Sequence, residues 1–86
     1  MKNSIDLKRC LSVFNLIVEK GEKVGNEYEY NGIYAWHDFD GYSCFMKYKN
    51  MTLSLFFHGK YDIDFQEESD LHEFEKKLIK IEQEFA

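Results

Sequence analysis

Between Ser4 and Lys23 the apolar residues Leu7, Cys10, Leu11, Phe14, Ile17 and Val18 recur at helical intervals, while Lys8, Arg9, Ser12, Asn15, Glu19 and Lys20 fall on the other side. That spacing wraps one apolar stripe around a cylinder and predicts an amphipathic helix over 4–23. Ser4 is placed to cap its N-terminus, Asp6 suits the positive end of the helix dipole, and Gly21 or Gly25 supplies the stop.

From Glu27 to Phe65 the period changes to two, and turn-forming pairs punctuate it. Asn31-Gly32 tolerates the positive φ angles of a tight hairpin, which sets Tyr30 against Ile33, Tyr28 against Ala35 and Glu27 against Trp36. Asp40-Gly41 sets His37 against Cys44, Trp36 against Phe45 and Tyr34 against Lys47. Lys49-Asn50 sets Tyr48 against Met51, Met46 against Leu53 and Cys44 against Leu55. The loop His58-Gly59-Lys60 sets Phe57 against Tyr61, Leu55 against Ile63 and Leu53 against Phe65. Strands are therefore predicted over 27–30, 33–39, 42–49, 51–57 and 61–65.

Turn chemistry alone chose these registers, yet together they bring Tyr28, Ile33, Ala35, Met46, Leu53, Leu55, Phe57 and Ile63 to one face. A one-residue slip in any strand would break that agreement. After the acidic run Asp62 to Asp70, helical spacing returns with Leu71, Phe74, Leu78, Ile81 and Phe85, predicting a helix over 70–85. Ser69 or Asp70 can cap it, and Asp70 with Glu73 has the spacing of a capping box. Its lysines and glutamates form a mixed-charge face of the kind that faces solvent. Two helices of ~10 Å diameter fit across five strands ~4.8 Å apart. The fold class expected is α+β: a two-layer sandwich of helix, five-stranded antiparallel meander and helix, with both helices on one sheet face.

The chain has 86 residues, no proline and five glycines; 44% are hydrophobic, so it is one domain with a modest core rather than a disordered tail. It lacks a secretory signal pattern and a run of ~20 apolar residues, so a cytoplasmic location and no membrane are expected. Cys10 and Cys44 have neither zinc nor redox spacing and are expected as reduced, buried thiols. In that compartment the Asn50-Met51-Thr52 sequon is a chance match.

The outer sheet face is left with Tyr34, Trp36, Phe45 and Phe56 among Glu27, Glu29, Asp38, Ser43, Lys47, Thr52, Ser54, Asp62 and Asp64. Aromatics ringed by polar groups on an uncovered sheet make an interaction surface, although cross-strand aromatic pairs also stabilise sheets that bind nothing. Nucleic acid is not the expected partner: the formal charge is -5, and Lys47, Lys49 and Lys60 are too few to track a phosphate backbone.

Catalytic or metal chemistry would have to come from His37 and His58, which a meander brings to the same end of the sheet, with Asp38 and Asp40 beside them. Two imidazoles and carboxylates suit a divalent ion such as zinc. Each also has a structural explanation: His37 as a buried, hydrogen-bonded core residue opposite Cys44, and His58 and Asp40 as turn residues. His72 faces solvent on the second helix. There is no nucleophile beside a base, no phosphate-binding glycine loop and no full calcium loop, so neither an enzyme nor a cofactor is expected.

Over Asp38-Phe39-Asp40-Gly41-Tyr42 and Leu55-Phe56-Phe57-His58-Gly59-Lys60-Tyr61, with the flanking helices, the chain resembles a small uncharacterised gammaproteobacterial family filed as a domain of unknown function. The resemblance implies a small bacterial cytosolic protein and transfers no catalytic or binding residue. The function expected from the residues is a non-enzymatic module that meets a protein partner or a second copy through its aromatic sheet face. The alternative is a small-ligand or divalent-metal protein using the His and Asp residues at one sheet end.

Overall fold

The computed structural model describes residues 6–39, 41–56 and 59–85. Helix α1 (Leu7–Lys20) is followed by strands β1 (Glu22–Val24), β2 (Glu27–Tyr30), β3 (Ile33–His37), β4 (Ser43–Tyr48), β5 (Met51–Phe56) and β6 (Tyr61–Asp64), and then by helix α2 (Glu68–Glu84). The strands form one antiparallel sheet in sequential order. This is an α+β fold with six strands, one more than expected. The addition is β1, which the periodicity had absorbed into the end of the first helix. Asp6 caps α1 by accepting from the Arg9 N–H at 3.2 Å; Ser4 lies outside the described residues. At the other end Gly21 N–H donates to the Ile17 carbonyl at 2.8 Å and the chain leaves extended. A Cβ on Gly21 would stand 2.5 Å from the Ile17 carbonyl oxygen and 2.7 Å from that of Glu29, so only glycine lets the helix end approach β2 so closely.

Three of the four expected registers are observed. Tyr30 faces Ile33, Trp36 faces Phe45, and Cys44 faces Leu55. Asn31 and Gly32 both take positive φ, 52° and 84°, which matches the twist of the strands they join. The last hairpin differs: Leu55 faces Tyr61 and Leu53 faces Ile63. Phe56 N–H donates to the Lys60 carbonyl at 2.9 Å, so the hairpin closes on Phe56 and Lys60 rather than on Phe57 and Tyr61. The partner shifts by two residues, which preserves the in-and-out alternation, so every described side chain of β6 keeps its expected face. Phe57, expected in the core, lies outside the described residues.

One apolar cluster gathers Cys10, Val13, Phe14 and Ile17 of α1, Leu71, Phe74, Leu78 and Ile81 of α2, and Ile33, Ala35, Met46, Tyr48, Met51, Leu53 and Leu55 of the sheet. Burial pushes the Cys10 thiol up to about 12, whereas Cys44 is only half-buried, short of the full burial expected. Helix α2 starts two residues earlier than its apolar spacing indicates. Its N-cap is Glu67, without a side-chain cap bond, and not Ser69 or Asp70. The expected capping box is also absent, because Glu73 reaches the sheet: its Oε1 accepts from the Tyr48 hydroxyl at 3.0 Å and from Lys49 Nζ at 2.8 Å. Tyr30 donates to Glu84 at 2.7 Å, and Arg9 pairs with Glu82 at 2.8 Å, joining α1 to α2.

Candidate functional site: the aromatic sheet face

Strand alternation sends the apolar residues of β3 to β5 into the core and leaves their neighbours on the other face. There Phe45 is the centre of an aromatic group. Trp36 lies directly opposite it on β3, and the two rings stack with centroids 5.4 Å apart and planes at 21°. Tyr34 is diagonal to Phe45 on β3, facing Lys47, and Phe56 is diagonal on β5, facing Ser43. Opposed and diagonal side chains on one face are within reach of each other when they are aromatic. Trp36 and Phe45 are half-buried, while Tyr34 and Phe56 are 38% and 40% exposed.

Charge on this face is arranged around that group. Glu22 on β1 and Glu27 and Glu29 on β2 share the aromatic face on one side, and Asp62 and Asp64 on β6 share it on the other. Between them, among the described strand residues, Lys47 is the single cation on this face. Within β1–β6 the face therefore has five carboxylates against one lysine, a formal -4 compared with -5 for the whole chain. Glu22 was missed by sequence reasoning because β1 was missed; the Gly25-Asn26 turn ahead of Glu27 was the available signal. A concavity of about 390 Å³ beside Trp36 is lined by Glu27, Tyr34, Trp36, Lys47 and Lys49.

The His and Asp residues fare differently. His37 does fall on the core side, edge-on to Phe14 at 5.0 Å and 82°, but it is exposed rather than buried, being the last residue of β3 at one end of the sheet. Asp38 is engaged in its own turn: its Oδ1 accepts from the Phe39 N–H at 2.7 Å, and its backbone bonds Ser43 and Gly41. His58 and Asp40 lie outside the described residues, and with them the expected approach of His58 to His37. Among the described residues no group of three or more His, Cys, Asp or Glu could hold a metal ion. Nor is any described helix long and apolar enough to cross a membrane. His72 is exposed on α2. A groove of about 250 Å³ at the same end as His37, lined by Leu11, Tyr42, Cys44, Leu55 and Phe56 with Gly41 and Gly59, has no counterpart in the sequence pattern.

A sheet with one aromatic, acid-flanked face and two terminal helices defines the class, and comparison with known families gives it a place. A family model matches residues 5–86, and the chain belongs to that family, described as a protein of unknown function (DUF3081). Comparison with the curated proteins and with the solved structures returned no match.

Proposed function

We propose that the chain is a non-enzymatic interaction module that associates through Tyr34, Trp36, Phe45 and Phe56. The observation that carries this reading is the stacked Trp36–Phe45 pair at the centre of the sheet face turned away from the core cluster, with two further aromatics more than a third exposed around it. The reading has both helices on the opposite face, and it is supported by their core residues joining sheet residues of one parity and by the ring contacts of Phe14 with His37 and Phe74 with Tyr48 on that same parity. Aromatics stacked on an uncovered sheet supply apolar area at roughly 25 cal/mol per Å² once a partner excludes water from them. The polar residues around them fix orientation. The proposed location is the cytosol, a reading supported by two free thiols.

Phe45→Ser and Trp36→Ser test the reading. On an association surface they weaken self-association or partner capture, measured by light scattering and co-purification, and leave thermal unfolding nearly unchanged. A wild type that stays monomeric at high concentration, together with serine variants that unfold, would show the aromatics to be part of a covered core and would end the proposal.

A further inference from the structure

We infer that the occupant of this face is a cationic segment of a protein partner, with lysine or arginine side chains on either side of a residue seated on the Trp36–Phe45 stack. The inference rests on the association reading above and adds the partner's chemistry to it.

Three features of the face select that occupant. First, the charge is concentrated: among the described strand residues this face carries five carboxylates against Lys47, a formal -4. A second copy presenting the same face would set like charge against like, which costs several-fold in affinity at each juxtaposition. Nucleic acid is repelled for the same reason. Second, the sign is arranged in bands. The acids stand on β1, β2 and β6, and the aromatics on β3, β4 and β5. Glu27 on β2 and Asp62 on β6 are four strand spacings apart, roughly 19 Å at ~4.8 Å each. A partner with two basic groups at about that separation, some 13 residues of helix at 1.5 Å each, reaches both bands while its middle covers Phe45. Third, the middle suits a guanidinium as well as an apolar group. The face of an indole or phenyl ring attracts a cation, and a planar guanidinium stacks on it while pairing with a carboxylate. Glu27 lines the concavity that also contains Trp36; of the two lysines that line it as well, Lys49 is paired with Glu73, which leaves Lys47 as the cation a partner's guanidinium must avoid.

Trp36 is the single tryptophan of the chain, so its emission reports this face directly. The experiment titrates a nona-arginine peptide into the full chain while following that emission. The expected result is a saturable change whose affinity falls at least about tenfold as sodium chloride rises from about 0.05 M to about 0.5 M. Affinity should also fall about tenfold in the double variant Asp62→Asn/Asp64→Asn, whose two side chains are exposed. The control is Glu67→Gln/Glu68→Gln, which removes the same charge at the start of α2 and should leave affinity within about twofold. Equal weakening by both double variants would mean that overall charge, not this face, attracts the peptide, and would overturn the inference. No response to nona-arginine in a wild type that self-associates, with self-association lost in Phe45→Ser, would overturn the cationic occupant and leave the association reading standing. Should Phe45→Ser fail to fold, Tyr34→Ser takes its place.

Discussion

The hydroxyl of Tyr48 donates to Glu73 across 3.0 Å, and through that bond the end of β4 holds the first turns of α2. Lys49 Nζ reaches the same carboxylate oxygen at 2.8 Å and also lies 5.4 Å from the Tyr48 ring centroid. The lysine first, and then the tyrosine hydroxyl, hold the Glu73 carboxyl below the usual range. A carboxylate whose folded-state pKa is depressed stabilises the fold above its unfolded value, and the contribution disappears as pH falls through the folded one. Glu73→Gln should therefore lower Tm relative to wild type at pH 7, and the difference should close below the ordinary glutamate value of about 4.3. Thermal unfolding followed by circular dichroism between these pH values measures it; a difference that persists unchanged at low pH would refute the assignment.

Gly21→Ala should cost about 3 kcal/mol, because its Cβ would meet two backbone oxygens and neither belongs to a side chain that can swing away. At Gly25, where φ is 65° and nothing lies within 4 Å, alanine meets only the backbone penalty of about 1 kcal/mol. Urea unfolding of the two variants decides it, and equal losses would show that the helix end is free to move away from β2.

Leu53 is fully buried and sits between Met46 and Ile63, so Leu53→Ala should remove about 2 to 5 kcal/mol. That is a large part of the ~5 to 10 kcal/mol that holds a domain of this size. Asp62→Asn, exposed on the other face of the same sheet, should stay within about 0.5 kcal/mol of wild type. Similar losses in both would contradict the two-sided character of the sheet.

Zinc titrated into the chain should leave the His37 ring resonances without a coupled, stoichiometric perturbation, since Asp38 is already committed to its turn. Tight one-to-one binding that disappears in both His37→Ala and His58→Ala would establish the metal alternative instead.

What the sequence disclosed depended on how local each determinant was. Asn31-Gly32 and Lys49-Asn50 fix their registers through backbone angles of the turn residues themselves, so Tyr28 opposite Ala35 and Cys44 opposite Leu55 could be read directly. Strand β1 could not be read from periodicity, because Glu22, Lys23 and Val24 are all exposed and carry no alternation of burial. Gly59 can serve a loop closing on Phe56 and Lys60 as readily as one closing on Phe57 and Tyr61, and the alternation is the same for both. Glu73 looked like a capping residue by spacing; its true partners, Tyr48 and Lys49, are brought to it only by the packing of α2. His37 has core parity, but parity does not reveal where a sheet runs out beneath its helices. The aromatics of the outer face were legible because parity alone puts them there, whereas the full acidic border required β1.

The sequential strand order also bears on how the chain reaches this structure. Each strand pairs with its neighbours in sequence across a short connection, so the sheet grows one hairpin at a time, each step on the scale of about 1 to 10 μs and with little loop entropy to overcome. The helices are in the opposite situation: Arg9 and Glu82, which join them, are 73 positions apart. That separation is costly to close in an open coil, but each completed hairpin shortens the path between the two ends. The meander thus lowers the entropic cost of bringing Arg9 to Glu82, and with them α1 to α2.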